Sequence, residues 1–203
     1  MKNMVRCKAC GFLMEEGKYH ECPACGVPEK MFEVYEDKVP AQRRKILKMH
    51  LHPVIVHAPQ AFGFVLFVLG AIRVFLTFTG LFPELDRDYL YPGLEVMAVL
   101  LPLTILGGIL SGLLDGKVRY KKLNTIMLKN KMMVGSLFLI LSIGMMVVAF
   151  MPAFRTDVVL ELIFMGLNAG AFACSVILGL WGAALNMAEM PGPWPKKKVA
   201  VKE

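Results

Sequence analysis

The sequence predicts a small four-cysteine metal domain followed by an all-α, four-helix transmembrane bundle. Three observations carry this. The first 25 residues hold two C-x-x-C pairs, Cys7-Lys-Ala-Cys10 and Cys22-Pro-Ala-Cys25. Four later segments are apolar over the ~20 residues that a helix needs to cross a bilayer. The loops between those segments alternate in charge. Composition agrees: 56% of the 203 residues are hydrophobic, against ~45–50% in a soluble domain. Mean hydropathy is +0.56.

The eleven residues between the cysteine pairs let two tight turns present four thiolates to one tetrahedral metal. Zinc and iron both accept that donor set, so a structural zinc ribbon is one reading. The stretch Met1–Cys7 lacks the apolar centre of a signal peptide. The thiols are therefore expected in a reducing compartment, where metal binding explains paired cysteines better than disulfides do. Cys174, inside an apolar segment, reads as a small buried hydrophobe. His20 reads as a surface residue, because four cysteines already complete a site.

The string Cys7-x-x-Cys10-Gly11-Phe12, then Cys22-Pro-Ala-Cys25-Gly26 and Phe32, resembles the rubredoxin-like domain of rubrerythrins. The likeness covers residues 1–34. It implies one mononuclear iron in an FeS4 site, ligated by Cys7, Cys10, Cys22 and Cys25, acting as a one-electron carrier. Gly11 and Gly26 match the glycines that follow each pair in that family. Such glycines let backbone N–H groups turn back toward sulfur, which tunes potential. The aromatic residue that commonly precedes the first pair is absent; Met4, Val5 and Arg6 stand there. The core of so small a domain is expected to rest on Phe12, Tyr19 and Phe32, with metal ligation supplying much of the folding free energy. The organisation that follows is a rubredoxin-like or zinc-ribbon domain (1–34), a basic juxtamembrane linker (35–52), a four-helix membrane domain (53–187) and a basic cytoplasmic tail (188–203).

The spans are placed at 54–78, 94–114, 132–151 and 158–186. Arg73 falls near the far end of the first and is expected to snorkel to the headgroups. Glu95 and Glu161 sit at span edges. Before span one stand Arg43, Arg44, Lys45 and Lys48. The loop after it holds Glu84, Asp86, Arg87 and Asp88. The next holds Lys117, Arg119, Lys121, Lys122, Lys129 and Lys131, and the tail holds Lys196, Lys197 and Lys198. The positive-inside rule then puts both termini in the cytoplasm, with four crossings of a prokaryotic inner membrane. The net charge of +7 is accounted for by these juxtamembrane stretches and by anionic lipid, not by nucleic acid. Residues 40–49 are basic with interspersed Ile46, Leu47 and Met49, which suits either a short interfacial helix or a solvated linker.

Span one opens His50-Leu-His52-Pro53-Val-Ile-Val-His57-Ala-Pro59. Pro53 suits the first helical position. Pro59 removes a donor from the helix and leaves the Ile55 carbonyl short of its partner. His57, Asp115, Asn130 and Lys131 are expected at one inner depth, with Asp115 and Lys131 offsetting each other at disfavoured helix ends. His52, His57, Asp115 and Lys131 are thus a candidate pocket for a quinone headgroup or haem. The opening HPxxVHxP with a four-span layout is similar to a family of small four-helix bacterial membrane proteins of unknown function, over residues 50–187. That resemblance implies a compact bundle with the two histidines placed for function, haem among the candidate cofactors. No histidine occurs after His57, so a haem would need Met132, Met133 or a partner as its second ligand. No phosphate loop, nucleophile elbow or metalloprotease motif is present, and no catalytic residue is assigned. The expected function is a membrane-anchored electron carrier, a subunit of an oxidoreductase, exchanging electrons with a quinone, a haem or a partner redox protein. The alternative is a zinc-ribbon membrane protein acting as an assembly or regulatory module.

Overall fold

A computed structural model describes residues 4–36, 40–82, 89–121 and 123–186. The acidic loop residues Glu84, Asp86, Arg87 and Asp88, together with Lys122 and the tail lysines, lie outside them. The chain divides into two units, 1–40 with 184–203, and 41–183.

The first unit holds a three-stranded antiparallel sheet of order β2-β1-β3, formed by β1 Met4–Cys7, β2 Leu13–Glu15 and β3 Phe32–Tyr35. The period-two alternation of a strand turns Val5 and Cys7 inward and Met4 and Arg6 outward. Val5 pairs with Met14 on one side and Val34 on the other. Arg6 stands opposite Glu33, with Nη2 2.6 Å from Oε1. The core comprises Val5, Met14, Val27, Ala9, Cys7 and Cys22, flanked by Cys10, Cys25, Met31 and Phe32. The aromatic core expected from sequence is mostly not there: Phe12 and Tyr19 are 41% and 39% exposed. Short aliphatic side chains and the cysteines themselves fill the interior instead. That leaves less apolar area to stabilise the fold and more to be supplied by a metal.

The second unit is helical: α1 Ala41–Lys48, α2 Leu51–Ile55, α3 His57–Thr79, α4 Tyr91–Tyr120, α5 Ile126–Ala149 and α6 Val158–Asn186. Of the stretch read as a linker, residues 41–52 are thus mostly helical and belong to the bundle unit, while Tyr35 closes β3 in the first unit. Arg43 explains why α1 stays there. Its Nε and Nη2 donate to the Val118 and Arg119 carbonyls at 2.6 and 2.5 Å. Those are C-terminal carbonyls of α4 with no helical donor of their own, and a cation at a helix C-terminus also meets the negative end of the macrodipole. The helix breaks between α2 and α3 at Val56, next to the Ile55 carbonyl that the Pro59 ring crowds. Pro53 is the third residue of α2 rather than its first.

Four helical stretches, Gln42–Thr79, Tyr91–Tyr120, Ile126–Ala149 and Val158–Leu185, are long and apolar enough to cross a membrane, with window hydropathies of 1.9–2.4. Only 28–33% of each window is buried within the protein. Phe78, Leu103, Ile140 and Leu180 face outward at 60–69% exposure. An apolar surface on that scale is compatible with a lipid environment and with a multi-pass membrane protein. α4 runs past the predicted span at both ends: Pro92 suits the first turn of a helix, and Lys117 and Arg119 remain good helix formers in its last turn.

Inside the bundle, Leu66, Leu94, Ala98, Leu101, Met145, Phe154 and Ala171 are fully buried. α4 packs closely on α3 and α5. α6 meets the bundle through larger side chains, with Phe172 stacked on Phe67 at 4.9 Å. Asn168, also fully buried, donates to the Leu66 carbonyl at 2.9 Å and ties α6 to α3.

Candidate metal centre

Each C-x-x-C-G segment folds into the same loop. In the first, Gly11 N–H bonds the Cys7 carbonyl at 2.8 Å and Cys7 N–H bonds the Phe12 carbonyl at 2.9 Å. In the second, Gly26 N–H bonds the Cys22 carbonyl at 2.8 Å and Cys22 N–H bonds the Val27 carbonyl at 2.8 Å. The turn closes only with a left-handed residue at the glycine, φ 77° at Gly11 and 73° at Gly26. Nothing lies within 4 Å of a Cβ built at either position. Backbone conformation, not space, therefore calls for glycine.

The four sulfur atoms of Cys7, Cys10, Cys22 and Cys25 lie within 4.8 Å of one another. Across the two loops Cys7 Sγ is 3.7 Å from Cys25 Sγ, and Cys10 Sγ is 3.6 Å from Cys22 Sγ. A tetrahedral metal with ~2.3 Å bonds to sulfur sets its ligands about 3.8 Å apart. The donor set and its spacing thus fit one metal ion, and geometry alone accepts zinc or iron.

Backbone donors also reach the sulfurs. Phe12 N–H faces Cys10, Val27 N–H faces Cys25, and the N–H groups of Ala24 and Cys25 face Cys22. Burial pushes the Cys10 thiol up to about 12, against the pull of Phe12 N–H. Burial acts the same way on Cys22, but its backbone donors outweigh it and bring that thiol down to about 7. His20 is exposed, its Nδ1 3.4 Å from Glu29 Oε2, away from any ligand role.

The predicted membrane pocket is brought together in part. His52 Nδ1 lies 3.1 Å from Ser111 Oγ, and the His52 ring covers Gly112 so closely that a Cβ there would meet it at 2.9 Å. The charges of Lys131 and Asp115 act on this histidine. Lys131 Nζ lies against Gly182, and Gln60 Nε2 against Gly179, so α6 joins the cluster through its glycines. Two expectations change. Asp115 forms its direct ion pair with Arg119 one turn on, at 3.3 Å, and offsets Lys131 only through the field of its charge. His57 is exposed, and its Nδ1 is 2.5 Å from the Pro53 carbonyl of the preceding helix α2. His52 is the histidine that the fold brings to the cluster. Asn130, Met132 and Met133 are exposed.

Sequence reasoning missed the other end of the bundle. Arg73 does not snorkel; it is 3% exposed. Its guanidinium lies between the rings of Tyr91 and Phe154, 3.8 and 4.6 Å from their centroids. It donates to the Tyr91 hydroxyl and to the Phe154 carbonyl. Glu161, 4% exposed, lies 3.5 Å from it and accepts from the Thr77 hydroxyl through both oxygens at 3.1 Å. The signal was present in the residue types: a charge inside an apolar segment needs a partner of opposite sign, and Glu161 was available.

No family model, curated protein or solved structure matches the chain. Fold and site alone define its class: a helical protein with four membrane-length helices and a four-cysteine group placed to hold a metal ion.

Proposed function

We propose that the chain is a membrane-anchored one-electron carrier of the prokaryotic inner membrane. Cys7, Cys10, Cys22 and Cys25 would hold one iron, which supplies a ferric/ferrous couple when bound. The observation that carries this reading is the ring of backbone N–H groups on three of the four sulfurs. Such donors stabilise thiolate charge and set the potential of a redox site. The head would face the cytoplasm with both termini inside. In support, Arg43 binds the end of α4, so the basic stretches around Arg43 and Arg119 share one end of the bundle, as the positive-inside rule requires.

At that inner end, His52, Gln60 and Lys131 offer the hydrogen-bond donors that a quinone carbonyl needs, between apolar helix walls. A quinone is the exchange partner we favour over a haem or a partner protein. His52 would donate to the carbonyl, and Lys131 would favour the negative charge that develops there on reduction.

A zinc-ribbon module with no redox role is the second reading, since the four-sulfur geometry accepts zinc as readily as iron. A visible spectrum of air-oxidised protein, with elemental analysis, separates the two. Ferric thiolate bands that vanish in Cys22→Ser support the carrier. Stoichiometric zinc and no visible bands, in protein from iron-replete cells, defeat it. With iron present, reoxidation by a quinone analogue should slow at least tenfold in His52→Ala while the iron spectrum stays unchanged. An unaltered rate removes the inner pocket from the electron path.

A further inference from the structure

The end of the bundle away from Arg43 carries a second site. A cleft of about 260 Å³ opens between the end of α3 and the start of α6, lined by Arg73, Thr77, Arg155, Thr156, Asp157 and Glu161 among others. We propose that it binds a zwitterionic phosphate ester bearing a primary ammonium, the headgroup chemistry of a phosphoethanolamine lipid.

The charges of the cleft argue for a ligand with both signs. Arg73 lies beside Glu161 at 3.5 Å, and Arg155 pairs with Glu95 at 2.9 Å. Asp157 accepts the Val159 N–H at 2.8 Å and so caps the positive end of α6. Among the described residues, each of these charges has an offsetting neighbour. A lone anion would add unbalanced negative charge beside Glu161 and Asp157, and a lone cation would add the converse beside the arginines. A zwitterion adds no net charge. Its phosphate suits Arg155 and the Thr156 hydroxyl, which would exchange its long 3.4 Å bond to the Ala153 carbonyl for a phosphate oxygen. Its ammonium suits Asp157 and Glu161, whose carboxylates have acceptor capacity beyond the bonds described.

Size and aromatic geometry narrow the class. Sites for drug-sized ligands run to ~300–1,000 Å³, so this cleft of about 260 Å³ is sized for a small polar group such as a headgroup. A quaternary ammonium would need an aromatic box. The two rings that could form one, Tyr91 and Phe154, are already stacked on Arg73. A primary ammonium needs only carboxylates. The depth also fits: Gly80 and Leu81 on one wall and Val158 on another are where two apolar helices end, at headgroup level, so acyl chains could run down the bundle.

The test is native mass spectrometry of the full chain in detergent, titrated with short-chain phosphatidylethanolamine, phosphatidylglycerol or phosphatidylcholine, and separately with soluble phosphoethanolamine. The expected result is retention of one phosphatidylethanolamine at least tenfold above the other two lipids. Competition by soluble phosphoethanolamine would locate the recognition in the headgroup. Retention should fall at least fivefold in Arg155→Gln and in Thr156→Val. Thr156 is exposed, so the second variant decides the matter if the first alters the melting temperature. Equal retention of phosphatidylethanolamine and phosphatidylglycerol would overturn the proposal, as would undiminished retention in Thr156→Val. Binding of soluble phosphoethanolamine without lipid retention would overturn the lipid as its source.

Discussion

Replacing Gly26 by Ala tests the reasoning behind the metal loops directly. The added methyl meets nothing within 4 Å, so no clash enters the account. The cost comes from holding a residue with a Cβ at φ 73°, about 1–2 kcal/mol. The loop forms only in the folded head, and metal binding is coupled to that folding. The penalty should therefore appear as a ~5–30-fold loss in apparent metal affinity. Competition against a chromophoric chelator, using cobalt as a spectroscopic stand-in, measures it. Gly26→Asn should lose less, because Asn tolerates the left-handed region better than Ala does. Gly11→Ala should match Gly26→Ala, since the two loops share their φ and their hydrogen bonds. Wild-type affinity in both alanine variants, or a larger loss for Asn than for Ala, would refute the backbone argument.

The remaining expectations concern the bundle. Arg43→Ala removes two hydrogen bonds to α4 carbonyls and should cost about 1–2 kcal/mol, seen as a lower melting temperature in detergent; an unchanged melt would mean that α1 is not held by this residue. Glu161→Gln leaves the Arg73 guanidinium buried beside a neutral partner and should cost about 3–5 kcal/mol. Arg73→Met with Glu161→Met should recover most of that loss, and a double variant less stable than the single would contradict the assignment. A reporter fused after Glu203 should be active in its cytoplasmic form and silent in its exported form; the opposite result would invert the proposed topology.

Much of this architecture could be read from residue order. Cysteine spacing announces a metal loop, because the turn that aims two thiolates at one point is short and local. Four apolar runs announce four helices, because a lipid-facing helix needs no periodicity to be recognised. The failures lie where the answer depends on which face of a helix meets which neighbour. Arg73 looked like a snorkelling residue from its place near the span end; only the packing of α4 and α6 shows that it points inward. Asp115 and Lys131 looked like partners from depth alone, yet Arg119, one turn along the same helix, is the easier reach. Phe12 and Tyr19 looked like core residues because they are the large apolar groups of a short domain. In so small a domain the interior beneath a three-stranded sheet has room mainly for valine, methionine and the cysteines.

The burial of Arg73 bears on how the chain is made. Its partners come later in the sequence: Tyr91 is 18 residues on, the Phe154 carbonyl 81, and Glu161 is carried by the last helix. In N-to-C synthesis, α3 reaches the bilayer carrying a guanidinium whose neutralising carboxylate has not yet been translated. The first long helix is therefore provisional until the last one arrives, and a nascent chain halted before α6 holds an uncompensated charge at the edge of the hydrocarbon. On the proposed membrane reading, insertion of the bundle is completed by α6, the helix that closes the ion pair.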